Sequence, residues 1–484
     1  MCDEVVRACR ALAPRVGLAV ADTLDAVADR AASTPRLVLT GPVSSGKSTL
    51  VNALVGRRVA PTGAGECTRL VAHYVRGPVD RLDVVLTDGS RRPLPLVDGG
   101  RVPAAVGDRL GIDPAYVDHL VVSLTSDALD GLTVIDTPGT GSARRGRGPE
   151  QPRADAETAA EAADAALVVL PAHAREHHLA ELAGAAQRGP AGVAAVLGRA
   201  DTVGAGDVLG HEAGADPDPD APAPSVLAAR RLGRRLGYRL GPVTPVIGLL
   251  AETAVTGALR TEDLHALGVL ARLDPGALDL ALLGVPPPAP TVYAARMARL
   301  IELLDRRGVA LAVELLRTRP SAGVGEVCTA LLAASGLDRL VDRVQEIRQR
   351  ADLLAGAAAL SRLDALVASS PGADTERVRD AVEELRTRPA LADLELLEAR
   401  ARVRAEVVPL TSDLADELDR LAAPGSPPAR LGLPDAARSE LAAQAARRAA
   451  WWGSVAAWGT PPESARVAHA AHRSYVVLWR ELTA

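Results

Sequence analysis

The chain of 484 residues contains no phenylalanine, and aromatic residues make up only 2% of it. Of its 55 basic residues a single one is lysine, Lys47, and the rest are arginine. Asn52 is the only asparagine. Isoleucine and tyrosine are scarce too, while alanine, arginine, glycine and proline abound. Such a bias reads as compositional drift in a GC-rich genome rather than a functional demand. The lone lysine is therefore conspicuous. Four cysteines (Cys2, Cys9, Cys67 and Cys328) lack the paired spacing of a metal site and form no disulfide framework. Cys2 and Cys9 fall on one apolar helix stripe and read as core residues of a protein from a reducing cytoplasm. No apolar run reaches the roughly 18 residues that a membrane-crossing helix needs, so membrane contact is expected to be peripheral. The opening "MCDEVVRACR" is acidic and lacks a long apolar region, which does not fit a secretory signal. A formal charge of −5 argues against a nucleic-acid binder. It leaves room for a local basic patch at a membrane surface.

Nearly half the residues are apolar, 48%, enough for a large core, and the length allows several domains. Residues 1–33 read as one helix. Val5, Cys9, Leu12, Val16, Val20, Leu24 and Val27 recur at spacings of three and four. This helix precedes the first strand, so its apolar seam needs a partner from elsewhere in the chain. From Arg36 short apolar strands begin: "RLVLTG", "RLDVVLTDG", "LTVIDTPG", "DAALVVLPA" and "GVAAVLGRAD". Their alternation with helical segments predicts an α/β head, a mostly parallel sheet with helices on both faces. Gly/Pro-rich polar stretches at 144–155 and 204–224 read as loops.

After about Leu250 strand signals stop. One stripe runs through Met297, Leu300, Leu304, Leu311 and Leu315; another through Leu340, Val344, Ile347, Leu354, Leu363 and Leu366, on one long helix. Breaks fall at 284–290, 318–325, 368–374 and 423–434. The pattern predicts an elongated all-α bundle. The expected units are 1–34, an N-terminal helix; 35–255, the α/β head; and 256–484, the helical bundle.

"GPVSSGKS", Gly41 to Ser48, fits G-x-x-x-x-G-K-[ST] with a strand before it and a helix after. Gly41, Ser44, Ser45, Gly46 and Thr49 belong to the loop and first helical turn that wrap phosphate oxygens with backbone N–H groups. Lys47 reaches the β- and γ-phosphates as a compact point charge, which a planar guanidinium does not replace. Ser48 offers its hydroxyl to Mg²⁺. In "VIDTPG", Asp136 stands at a strand end where it can hold Mg²⁺ through water, and the Gly139 N–H can meet the γ-phosphate. "GRAD" (Gly198 to Asp201) follows the strand "VAAVL", where guanine-nucleotide enzymes usually read [NT]-K-x-D. Asp201 can accept from guanine N1–H and N2–H₂, and Arg199 can cover the base with its stem and plane. Gly198 lacks the side chain that would tie this loop to the P-loop, which predicts weaker hold on the base. In "PTGAGECTRL", Thr68, or failing it Thr62, can add a hydroxyl to Mg²⁺ and a carbonyl to the attacking water. These parts suit Mg²⁺-dependent hydrolysis of GTP to GDP. Thr140 follows Gly139 where a water-positioning glutamine is expected, so turnover is expected to be slow unaided.

"GPVSSGKSTLVNALVG", "PTGAGECTR", "DTPGT", "GRAD" and "VTPVIGLLA" together resemble the GTPase head of the dynamin superfamily, bacterial members included. The resemblance spans about residues 36–255, and in the helical half it is one of pattern and length. It implies a helical neck that takes in the N-terminal helix, and a trunk whose tip touches lipid. It implies heads that form homodimers or heterodimers across the nucleotide, and GTP-driven membrane binding and remodelling (fusion or repair) at the cytoplasmic face of the inner membrane. It places Ser44 where dynamins hold a monovalent cation in place of an arginine finger, and Val43 where many carry glutamine. Dynamins also carry asparagine at the position of Asn52. Two other readings compete. A ribosome-assembly GTPase would need a basic RNA-binding domain, which the acidic balance opposes. A non-hydrolysing, nucleotide-gated scaffold, as partner subunit of another dynamin-like protein, is left open by "GRAD" and Val43. Outside the head, Arg144, Arg145 and Arg147 are weighed as trans contacts in a dimer. Trp451, Trp452 and Trp458 are weighed as membrane anchors, and the turn Arg317 to Gly325 as a lipid-touching tip. For each, solvated loop or packing is the plainer alternative. His177 and His178 carry no metal-binding pattern.

Overall fold

The computed structural model describes residues 1–62, 70–139, 163–174, 190–204, 223–283, 291–369, 372–386, 388–456 and 460–484. Thr68, Thr140, Arg144, Arg145, Arg147, His177, His178 and Trp458 lie outside the described residues.

Among the described residues nine strands make one sheet: β1 (Arg36–Thr40), β2 (Val71–Arg76), β3 (Arg81–Leu86), β4 (Arg91–Leu94), β5 (Val117–Leu124), β6 (Thr133–Asp136), β7 (Ala165–Leu170), β8 (Val193–Leu197) and β9 (Val243–Pro245). Their spatial order is β4-β3-β5-β2-β6-β1-β7-β8-β9. The half from β6 to β9 is parallel throughout. The direction reverses where β2 pairs antiparallel with β6, and β3 lies antiparallel to both β4 and β5. β7 and β8 are buried at every residue, as expected of strands covered on both faces. Along β1, Leu37 and Leu39 enter one core and Val38 the opposite one. The first core holds the helix Lys47–Val55; the second holds the helix Pro224–Leu240.

The N-terminal segment is two helices, Cys2–Leu12 and Leu18–Ala32, not one. Pro14 sits in a short 3₁₀ turn and Gly17 is extended at ψ 154°, so the chain folds back on itself. Doubling back keeps the seam on one side. Val5, Cys9, Leu24 and Val27 pack with Ala359, Leu363, Val378 and Val382 from the helices Ala351–Ser369 and Ala373–Arg386. The seam's partner thus comes from about 350 residues away along the chain.

The second expected stripe is also divided. The helices Leu337–Gln349 and Ala351–Ser369 break at Arg350. Leu340, Ile347 and Leu354 pack into the core of the sheet, while Leu363 joins the N-terminal helices. The first stripe follows the helix Thr291–Thr318, which kinks at Asp305 (φ 54°). Arg317 donates to the carbonyls of Ala271 (3.2 Å) and Leu273 (2.7 Å), so it closes a helix end. A final cluster centres on Trp452, 1% exposed, whose Nε1 donates to Glu417 Oε1 at 3.1 Å. Trp451 is partly exposed and lies under the Arg448 guanidinium, 4.4 Å from its ring centre. Among the described residues no helix is long and apolar enough to cross a membrane.

Candidate nucleotide site

β1 ends against β6 on one side and β7 on the other, and the loop that leaves it is shaped by that crowding. A Cβ on Gly41 would lie 2.4 Å from the Val169 carbonyl oxygen of β7, so only glycine fits. Ser44 (φ 61°) and Gly46 (φ 95°) are both left-handed and turn the backbone into the helix Lys47–Val55. Lys47 is 7% exposed, and its Nζ donates to the carbonyls of Gly41 and Pro42, each at 2.9 Å. Burial pushes its pKa down, and the Asp136 carboxylate opposes that shift.

Ser48 Oγ donates to Asp136 Oδ2 at 2.9 Å. Register brings them together: Asp136, the last residue of β6, pairs with Leu39 of β1. Burial raises the Asp136 pKa, against the pull of Lys47 and the Ser48 hydrogen bond. Its other oxygen, Oδ1, is buried without a hydrogen-bond partner, as is Ser45 Oγ. Two buried polar atoms left open, one in the P-loop and one at the end of β6, mark a site built for something polar. Thr137 Oγ1 donates to the Leu39 carbonyl at 2.7 Å and pins the strand end. Beyond it, a Cβ on Gly139 would lie 2.6 Å from Val43 Cα, so the two loops touch backbone to backbone. Thr49 turns its methyl toward Gly248, at the start of the helix Gly248–Val255.

The "GRAD" loop leaves β8 with Gly198 N donating to the Leu170 carbonyl at 3.0 Å. A Cβ on Gly198 would stand 2.6 Å from the Ser45 carbonyl oxygen and 2.7 Å from Val169 Cγ1. This is a different picture from the expected loosening. The missing side chain lets the base loop lie directly on the P-loop. Arg199 is exposed at φ 51°, and Asp201 is half-buried. Burial raises the Asp201 pKa, and the Asp305 carboxylate at the helix kink adds to the rise.

Asn52 was the residue whose role sequence reasoning missed. It is 1% exposed and makes four hydrogen bonds. Its Oδ1 accepts from Val59 N (2.9 Å) and Ala60 N (2.7 Å); its Nδ2 donates to the Ala60 carbonyl and to Glu252 Oε1, each at 3.0 Å. Only a side-chain amide carries two donors and two acceptor lone pairs so placed. Its rarity in the composition was the available signal. Glu252, 3% exposed, also pairs with Arg58 at 3.2 Å.

Lys47, Ser48, Asp136, Ser45, Gly139 and Gly198 thus converge around one loop. Arg199 and Asp201 stand at the adjoining strand end, and Thr68 lies outside the described residues. Among the described residues no cluster of His, Cys, Asp and Glu suits a metal held by protein alone. Ser48 with Asp136 fits the partial shell that Mg²⁺ takes when phosphates and water complete it: a hydroxyl, and a carboxylate with one unpartnered oxygen.

Residues 37–84 match the family model described as the Dynamin family. Isoniazid-induced protein IniC of Mycobacterium tuberculosis, in two strains, is 32% identical over 493 aligned residues, covering 95% of this chain and 93% of the relative. Two solved chains from work on an oligomerised bacterial dynamin pair, described as sensing and tethering membranes, align at TM-scores of 0.33 and 0.31 with 11% and 10% identity. The alignments cover 94% and 100% of this chain, which spans 61% and 75% of theirs. The chain belongs to the dynamin family, as a bacterial dynamin-like protein similar to IniC along nearly its whole length.

Proposed function

We propose that this protein is a GTPase that binds GTP at the P-loop, hydrolyses it to GDP and phosphate, and couples turnover to membrane binding and remodelling. The observation that carries this is the convergence of Lys47, Ser48 and Asp136, with one Asp136 oxygen buried and unpartnered. In the reaction water attacks the γ-phosphorus in line with the departing GDP, and charge spreads over the equatorial oxygens. Lys47 neutralises the β- and γ-oxygens. Backbone N–H groups of the Gly41–Ser48 loop and of Gly139 hold the rest. Ser48 and Asp136, with Thr68 as the further ligand the sequence suggests, would hold Mg²⁺, which would supply neutralising charge to the phosphates. Ser44 positions a monovalent cation in this reading. Asp201 selects guanine by accepting from its N1–H and N2–H₂, while Arg199 covers the base.

The assignment of units follows: head 35–255, helical neck and trunk from 1–34 and 256–484. Heads pair as homodimers or heterodimers, and the trunk meets lipid from the cytoplasmic face. A second reading has one observation in its favour. The Val43 side chain, 52% exposed beside Gly139, has no group to hydrogen-bond a water or phosphate there. It favours a non-hydrolysing, nucleotide-gated partner of another dynamin-like protein.

GTP turnover measured at several protein concentrations, with and without liposomes, tests both. Turnover that rises with concentration and lipid is expected. GTP binding without turnover favours the scaffold, and turnover with no liposome binding removes the membrane role.

A further inference from the structure

At the far end of the P-loop helix, about 13 Å from Lys47 at 1.5 Å per residue, lies a second concavity. Its volume is about 480 Å³, within the range of small-molecule sites. Five arginines line it: Arg57, Arg58, Arg101, Arg260 and Arg299. Only two carboxylates, Asp98 and Glu302, stand in the same lining. In a chain with a formal charge of −5, this is a concentrated reversal of sign.

The guanidiniums are held in place from behind. Asp80 pairs with Arg57 at 2.5 Å and Glu252 with Arg58 at 3.2 Å. Asp263, 0% exposed, takes a two-pronged contact from Arg299, at 2.9 and 3.1 Å. Each of these uses part of a guanidinium that carries five N–H donors. Arg101 has only a 3.5 Å contact with Asp98, and Arg260 has no ion pair among the described residues. Carboxylates that fix the guanidiniums, two of them buried (Glu252 and Asp263), with N–H groups left over, are what oriented phosphate recognition by arginine requires. The backbone is thin there as well: Gly56, Gly99 and Gly257 line the same space.

We propose that this cavity binds a small polyanion bearing two or more phosphate groups, whether a free metabolite or a lipid headgroup. The site is separate from the P-loop, and its existence does not depend on GTP being hydrolysed. One consequence does rest on the nucleotide reading. Arg58 lines the cavity and pairs with Glu252, and Glu252 holds Asn52, which clamps Val59 and Ala60. A phosphate that competes for Arg58 loosens that clamp at the entry to the "PTGAGECTRL" loop.

Isothermal calorimetry of the full chain with myo-inositol hexakisphosphate as probe, at about 0.15 M salt to suppress unspecific attraction, provides the test. Measurements with Mg²⁺ and GDP present, and on Lys47→Ala, separate the cavity from the P-loop. Binding is expected to survive in both. Arg101→Ala/Arg260→Ala removes the two least paired guanidiniums and is expected to weaken binding at least about tenfold. Circular dichroism checks that this variant is folded, and Arg101→Lys/Arg260→Lys is expected to recover part of the affinity. Phosphatidylcholine vesicles with and without cardiolipin, whose headgroup carries two phosphates, form the second arm. Vesicle binding lost in the alanine variant identifies a lipid source, and unchanged vesicle binding a soluble one. No binding of the probe by the wild type, equal binding by the alanine variant, or loss of binding in Lys47→Ala overturns the proposal.

Discussion

Asn52 Nδ2 lies 3.0 Å from Glu252 Oε1, joining the P-loop helix to the first helix beyond the sheet across 200 residues of chain. The same amide holds both backbone groups of Ala60. Asn52→Asp keeps the shape, removes both donors and sets a second carboxylate against a buried one, whose pKa burial already raises. A loss of roughly 2–4 kcal/mol of stability is expected. Adding Glu252→Gln restores a donor, and the pair is expected to recover about 1 kcal/mol relative to additivity. Urea denaturation of the four proteins in the cycle measures it. Additive losses would show that the two side chains act independently.

Lys47→Arg keeps the charge and is expected to lose most GTP binding, more than about tenfold. Lys47 is 7% exposed and its ammonium is seated on the carbonyls of Gly41 and Pro42, a compact seat that suits a point charge better than a planar fork. Titration with a fluorescent GTP analogue measures the affinity. Wild-type affinity in the variant would leave the single lysine without a physical account.

The P-loop was legible because its chemistry sits within eight consecutive residues, and β7 and β8 because continuous apolar runs mark strands covered on both faces. β2 and β5 were not. "VAHYVR" and "VDHLVVSL" interleave polar residues and lie beside the sheet's reversal, where no motif announces a strand. Pro14 and Gly17 do announce a break in the N-terminal helix, but the apolar stripe runs straight across them because the two halves fold onto one seam. Gly198 read as a lost contact because spacing along a chain says nothing about the distance to Ser45.

His73 of β2 stacks on His119 of β5 with ring centres 4.5 Å apart. Burial, with the nearby charges of His119 and Arg36, pushes its pKa down from 6.5 to about 3. The folded state therefore keeps His73 neutral while the unfolded state takes up a proton below pH 6.5. Stability is full above that pH and falls as pH drops toward 3, by up to about 1.4 kcal/mol per unit. Urea midpoints from pH 6.5 to 5 are expected to decline in the wild type and to flatten in His73→Gln. Equal slopes would assign the decline to other groups.

Glu346 gathers four arginines where the helix Leu337–Gln349 meets the sheet and the helix Pro389–Arg404. Arg343 is 2.9 Å away, Arg404 3.4 Å, Arg400 3.6 Å and Arg350 4.0 Å. Burial alone would raise the Glu346 pKa, but the Arg343 hydrogen bond and these charges hold it below the usual carboxylate range. Its contribution is present at neutral pH and lost on acidification. Glu346→Gln leaves the four arginines without their shared anion, while Asp419 still pairs with Arg400 and Arg404. A loss of roughly 2–4 kcal/mol is expected. Arg343 also donates to the Ala191 and Val193 carbonyls at the start of β8, so hydrogen exchange is expected to quicken there first. Unchanged exchange at β8 would confine Glu346 to the helices.

Gly198 provides the prediction that runs against sequence intuition. Replacing it by asparagine brings "GRAD" closer to the usual [NT]-K-x-D, and on pattern alone should tighten guanine binding. The contact distances oppose this. The new Cβ would begin 2.6 Å from the Ser45 carbonyl oxygen, a backbone atom of the P-loop that has no rotamer to change. Relief requires the base loop to lift from the P-loop, or the P-loop to shift away from Val169 of β7. Overpacking of this kind costs about 1–3 kcal/mol, and it falls on the loop that carries Asp201. Gly198→Asn and Gly198→Ala are both expected to weaken GTP binding and lower the melting temperature. The alanine variant separates the causes, since it adds the clash without the amide. If asparagine binds GTP more tightly than glycine while alanine does not, the side-chain tie outweighs the close approach, and the contact seen at Ser45 yields easily.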